Sequence, residues 1–168
     1  MDALPGAVVR SGTERAVLAD AVIRLRTSRL VGMPTETVYG LAASTFDPKA
    51  IEQIYAVKER PHDNPLIAHV SSIEMARSLC RSWPDAASVL AEACWPGPLA
   101  MVLDRDRSVP AIAAGGRDSI AVRMPAHPVA LRLIESFGGP VSAPSANRSG
   151  SISPTEARHV LADFVDED

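Results

Sequence analysis

A chain of 168 residues, 46% hydrophobic and 22% charged, has the size and composition of one globular domain around a single sizeable core. A net charge of −3 excludes a bulk electrostatic pull on nucleic acid and leaves room only for local basic patches. No apolar stretch of about 18 residues occurs, so no membrane span is expected. Met1 to Gly12 lacks the apolar run of a signal peptide. Cys80 and Cys94 form no C-x-x-C or Cys/His cluster, so neither a disulfide framework nor a zinc site is expected. Both read as small apolar residues near helices in a reducing compartment. A cytoplasmic location is the expectation.

In chain order, Ser11-x-x-Glu14 reads as a capping box ahead of a helical pattern of Val17, Leu18, Ala21, Val22 and Leu25. Leu30 to Met33 predicts a strand ending at Pro34. Asp47-Pro48 is an N-cap followed by Pro at the first helical position. The helix it opens carries Ile51, Ile54 and Tyr55 on one face and ends before Pro61. Leu66 to Val70 predicts a buried strand. Ser71-x-x-Glu74 caps a further helix, and Asp85 to Cys94 forms another. Leu99 to Leu103 and Ser119 to Arg123 predict strands. Pro128 to Phe137 is an amphipathic helix stopped by Gly138-Gly139, and Val141 to Ala143 a short strand. Ser153-Pro154-Thr155-Glu156 opens a last helix to about Phe164, with a frayed acidic end from Asp163 to Asp168. This alternation argues for an α/β domain around one mixed sheet.

Three polar segments carry the chemistry. Lys58 and Arg60 stand at i, i+2, and Pro61 biases Arg60 away from helical geometry. If the chain is extended there, both cations point the same way, as phosphate or carboxylate binding requires. Cations favouring a helix C-terminus read equally well. Only two of the 17 basic residues are lysines, Lys49 and Lys58. Thr35, Thr37 and Tyr39 would line one side of an extended segment and offer hydroxyls to a small ligand, although they also suit a plain strand. Ser145 and Asn147 lie in a Pro-, Ser- and Gly-rich segment leading to a helix, suited to an anion or to a turn. Ser145 is not in a G-x-S-x-G elbow. Arg123 ends a strand, as a ligand clamp or a surface residue. His69, inside an apolar strand, reads more readily as a hydrogen-bonded core residue than as a catalyst. No P-loop and no G-x-G-x-x-G occurs, so a bound nucleotide would lie outside the common phosphate-loop motifs.

Six stretches occur in an order that resembles the Sua5/YrdC/YciO family. They are Gly32 to Leu41, Lys58 to Pro61, Asn64-Pro-Leu66 with His69, Trp95 to Leu99, Val122 to Pro125, and Ala143 to Gly150. The resemblance runs from about Leu30 to Phe164. It implies a YrdC-like twisted mixed sheet with flanking helices and a concave, positively charged cavity. It also implies a threonylcarbamoyl-AMP synthase, which joins L-threonine, bicarbonate and ATP and releases pyrophosphate. The product serves the t6A modification of adenosine 37 in tRNA. Lys58, Arg60, Ser145 and Asn147 match the family's K-x-R…S-x-N tetrad.

The same resemblance implies site roles. Lys58 and Arg60 are the catalytic pair and meet the phosphates and the carbamate. Ser145 and Asn147 hold the nucleotide. Thr35, Thr37, Tyr39, His69 and Arg123 hold threonine. Mg²⁺ accompanies ATP, with no metal site built from protein side chains. Downstream partners are tRNA and the t6A transfer machinery, with no membrane. The chain is expected to be one domain over 1–168 without the family's Gly-rich closing segment. Two further readings compete. A non-catalytic RNA-binding module is opposed by the net charge of −3 and the scarcity of lysine. A carbamoyltransferase-type relative ranks lower, because the domains that supply carbamoyl phosphate chemistry are not seen.

Overall fold

The computed structural model describes residues 8–164. Residues 1–7 and residues 165–168 of the acidic end lie outside the described residues. Asp163 and Phe164 close the last helix instead of fraying. The Asp163 carboxylate accepts the Arg148 backbone N–H at 3.1 Å, and Phe164 is buried.

Helix α1 spans Arg15–Arg26 and buries Val22 and Leu25. Its expected capping box does not form. Glu14 is the N-cap and makes no side-chain cap bond, while Ser11 Oγ pairs with the Thr13 hydroxyl at 2.8 Å. A turn from Ser11 O to Glu14 N separates the serine from the helix start. Strand β1 (Val31–Met33) pairs antiparallel with β2 (Gly40–Ser44). The sequence reading missed β2. Its Gly-Leu-Ala-Ala-Ser run is buried on both faces up to Ala43, so it shows neither alternation nor β-branched residues.

Helix α2 (Pro48–Lys58) starts as expected, with the Asp47 carboxylate accepting the N–H groups of Lys49 and Ala50. Ile51, Ile54 and Tyr55 are fully buried, and each aliphatic side chain contributes about 2 kcal/mol by leaving water. The helix ends at Glu59, which takes left-handed geometry at φ 52°. Strand β3 (Ile67–His69) precedes α3 (Ile73–Ser78). The cap of α3 is Ser72, not Ser71, because Ser72 Oγ accepts the Met75 N–H at 3.0 Å.

Helix α4 (Asp85–Cys94), strand β4 (Met101–Asp104), a short 3-10 turn (Ala111–Ala114) and strand β5 (Ser119–Arg123) follow. Helix α5 (Pro128–Phe137) stops at Gly138 with φ 79°, and β6 (Val141–Ser142) leads through a long loop to α6 (Ala157–Phe164). The last helix starts later than its Ser-Pro signal implied, because the Pro154 carbonyl is engaged by the Tyr39 N–H at 2.8 Å. Cys80 is buried as expected, whereas Cys94, at the end of α4, is exposed.

The six strands form one mixed sheet in the order β1-β2-β6-β3-β5-β4. Only β3 and β5 run parallel. Ala42 and Ala43, neighbours on β2, belong to different apolar clusters. One cluster joins β2 and β6 to α1 and α5, and the other packs α2, α3 and α4. The sheet therefore carries apolar packing on both faces, and because β6 runs antiparallel to β2 and β3, the segment following β6 meets the segments preceding those two strands.

Candidate active site

The β3–β5 register sets His69 beside Arg123. On the other side of β3, β6 delivers residues 143–147, and β2 carries the 34–40 segment next to them. These two segments touch closely: Gly40 bridges to Ser145, and a Cβ on Gly40 would stand 3.0 Å from that of Ala143. Between them and the loop after α2 lies a cavity of about 300 Å³. Thr35, Thr37, Arg60, His69, Arg123 and Ser145 line it, together with apolar surface from Val38, Pro65, Ile67, Ala143 and Pro144. Convergent polar groups on an apolar wall are the usual anatomy of a small-molecule site.

Lys58 and Arg60 do not point the same way, as the spacing suggested. The left-handed turn at Glu59 swings them apart. Arg60 enters the cavity, anchored by Nε to the Asn64 carbonyl (3.1 Å) and by Nη2 to Asn64 Oδ1 (2.7 Å) and the Pro65 carbonyl (2.9 Å). Lys58 turns inward and is 1% exposed. Its Nζ donates to the carbonyls of Ser145 (2.6 Å) and Asn147. Burial, then the neighbouring Arg60 charge, push the Lys58 ammonium down to about 8, with Asp163 acting in the opposite direction. A neutral amine still carries two N–H groups, enough for both carbonyls.

Ser145 faces the cavity, but Asn147 is tied back into its own loop. Its Nδ2 donates to the carbonyls of Arg148 (2.8 Å) and Ser151 (2.9 Å), and its buried Oδ1 has no partner among the described residues.

The 35–39 segment is bent instead of extended, which changes the fate of its hydroxyls. Thr35 Oγ1 accepts the N–H groups of Thr37 and Val38 and donates to the Val38 carbonyl at 2.6 Å. Both threonines line the cavity. Tyr39 does not: it packs with Leu41, Ala146 and Phe164 and faces a second cavity of about 730 Å³ bounded by α1, α5 and α6. A bend removes the period-2 alignment on which the three-hydroxyl expectation rested.

Arg123 is buried and held by three groups. Its Nε donates to the Gly97 carbonyl (3.2 Å), and Nη2 meets Thr37 Oγ1 (3.1 Å) and Glu36 Oε1 (2.7 Å). Glu36 escaped the sequence reading. In an extended segment it would face away from Thr35 and Thr37, and no spacing signal marks it. Burial works against its carboxylate, yet the bonds from Arg123 and from backbone N–H groups outweigh this and hold its pKa below the usual value. His69 is 3% exposed. Burial, then the Arg123 charge, lower its pKa to about 4, so the ring is neutral at pH 7. Its Nδ1 contacts the Ile67 carbonyl at 3.1 Å. A neutral ring that donates there keeps Nε2 as an acceptor.

The fold and this geometry define a class: an α/β domain whose mixed sheet carries apolar packing on both faces, with a polar cavity bearing two anchored arginines, one from the loop after α2 and one from the end of β5. Comparison with known proteins agrees. The family model Sua5_yciO_yrdC, described as "Telomere recombination", matches residues 24–168. The threonylcarbamoyl-AMP synthase of Pyrococcus abyssi is 48% identical over 156 residues, covering 93% of this chain and 46% of the relative. That of Bacillus subtilis is 45% identical over 149 residues, covering 88% of this chain and 43% of the relative. The crystal structure of P. abyssi Sua5 complexed with L-threonine matches with a TM-score of 0.89 over 90% of this chain and 45% of that one. The chain belongs to the Sua5/YciO/YrdC family. It spans a little under half the length of these relatives.

Proposed function

We propose that this chain acts as an L-threonylcarbamoyladenylate synthase, joining L-threonine, bicarbonate and ATP and releasing pyrophosphate. The observation that carries the reading is the pair of cavity arginines. Each spends Nε and Nη2 on protein oxygens, and among the described residues neither Nη1 has a protein partner. Two preset donors around a small cavity suit a reaction in which anions must be brought together. The 48% identity to a named synthase supports the same reading.

In the proposed chemistry, the threonine amine attacks the bicarbonate carbon and water leaves, giving N-carboxy-threonine. A carbamate oxygen then attacks the α-phosphorus of ATP in line, and the bond to the bridging oxygen breaks as pyrophosphate departs. No protein nucleophile is required, so catalysis falls to positioning and charge neutralisation. Arg60 takes the phosphates and the carbamate. Ser145 holds the nucleotide, while Asn147, its amide nitrogen bound to the Arg148 and Ser151 carbonyls, shapes the loop that carries it instead of meeting the ligand. Lys58 acts by gripping the backbone of that loop and lending buried positive charge. Arg123, Thr35, Thr37 and His69 hold threonine, with Nε2 of neutral His69 accepting a proton-bearing group of the substrate. Tyr39 drops out, because its ring faces the other cavity.

Mg²⁺ enters this reading as part of the Mg·ATP substrate. Cytoplasmic location and delivery of the product to tRNA through a transfer partner complete it. The test is pyrophosphate release from ATP, measured with and without threonine and bicarbonate. Release that needs both co-substrates supports the synthase, and release that needs neither, or none from a folded protein, overturns it.

A further inference from the structure

The two cavity arginines differ in one respect. Arg60 is anchored only by neutral oxygens, and no carboxylate lies within ion-pair distance of it among the described residues. Arg123 is anchored by the same two nitrogens, but one of its partners is the Glu36 carboxylate at 2.7 Å, with that side chain 23% exposed. Glu36 is not itself among the lining residues, so its charge reaches the cavity only through the arginine it pairs with. The Arg123–Glu36 pair is close to neutral as a unit while its Nη1 remains a hydrogen-bond donor. Such a donor still suits a singly charged carboxylate whose ligand also carries an ammonium, but it has lost most of its pull on a polyanion. Arg60 keeps its full charge.

We infer that Glu36 determines selectivity within the cavity, cancelling the field of Arg123 so that the triphosphate is drawn to Arg60 and the Arg123 end stays open to a zwitterionic amino acid. The inference rests on the synthase reading for the identity of the two ligands. Glu36 acts through Arg123 and meets no reacting atom itself. Without it, pyrophosphate or ATP phosphate would occupy both ends and shut the amino acid out.

The test is calorimetric binding of L-threonine and of inorganic pyrophosphate to the wild-type chain and to Glu36→Gln. Gln keeps a hydrogen-bond acceptor for Arg123 and removes the charge. In the wild type, pyrophosphate and threonine are expected to bind without displacing one another. In Glu36→Gln, pyrophosphate is expected to bind about tenfold tighter and to displace threonine. Glu36→Asp should retain the wild-type pattern, and adding Arg123→Gln to Glu36→Gln should abolish the gain. Glu36→Met supplies a second neutral variant if Glu36→Gln does not fold. A folded neutral variant that binds pyrophosphate no tighter than wild type overturns the inference. Wild type that binds pyrophosphate but no threonine sinks the synthase reading instead, while the wild-type-to-variant ratio for pyrophosphate still decides the role of Glu36.

Discussion

On one wall of the cavity, Arg60 is anchored by Asn64 and Pro65, four and five residues along the chain. On a second wall, Arg123 is anchored by Gly97, Thr37 and Glu36, from segments far away in sequence. The first anchorage is a property of a loop and the second a property of the completed fold. Lys58 breaks this division. It belongs to the first wall by sequence, yet reaches 87 and 89 positions away to the carbonyls of Ser145 and Asn147. Local anchorage is cheap to form and easy to read from sequence, whereas long-range anchorage reports whether the whole sheet has assembled.

The sharpest way to break the comparison is Lys58→Ala. It leaves two carbonyls without their donor and opens space beneath the loop. About 3 kcal/mol of stability should be lost in denaturant unfolding, with pyrophosphate release falling below detection. Unchanged unfolding would show that the first wall stands without its long-range tie.

A paired replacement sharpens the contrast further. Arg60→Lys and Arg123→Lys both keep the charge and forfeit the fork. Each should lower kcat/KM by about 2 kcal/mol in activation terms. Only Arg123→Lys should also shift the thermal midpoint, because it alone releases partners from distant segments. Equal shifts in both variants would dissolve the distinction.

His69 adds a pH signature to the second wall. Its folded pKa of about 4 lies below the ordinary 6.5, so the unfolded chain takes up a proton that the folded chain refuses. The stability tied to this ring is therefore complete above pH 6.5 and is lost as pH falls towards 4, on the order of 3 kcal/mol. Unfolding measured from pH 7 to 4 should show a steeper loss for wild type than for His69→Gln, and parallel curves would count against it. Tyr39→Phe should do least, within about 0.5 kcal/mol of stability and with unaltered turnover, since Tyr39 lines the second cavity and not the first. A large loss of activity would return Tyr39 to the site.

The sequence disclosed what local chemistry decides. Asp47-Pro48 starts α2, Gly138 stops α5, and α4, α5 and β5 fall within their expected bounds. The ordered motifs pointed to the family and brought Arg60, His69, Arg123 and Ser145 to one place. What stayed hidden depends on tertiary context. Strand β2 is made of small residues that only burial on both faces turns into a strand. Lys58 and Arg60 part company because a non-glycine residue, Glu59, adopts left-handed geometry at φ 52°, which nothing in its identity announces. Glu36 and Arg123 meet across 87 positions, a distance at which spacing carries no signal.

Strand β6 is two residues long, and it sits between β2 and β3, both made far earlier in the chain. Until residue 142 arrives, the inner edges of β2 and β3 have unpaired backbone facing an empty slot. A chain emerging residue by residue therefore carries two open edges through most of its synthesis, and the late arrival of a dipeptide joins the halves of the sheet. The segment that completes the sheet runs directly into Ser145 and Asn147. Completion of the sheet is thus also the event that brings Ser145 to the cavity, so a chain whose sheet halves have not joined has only part of the cavity lining in place.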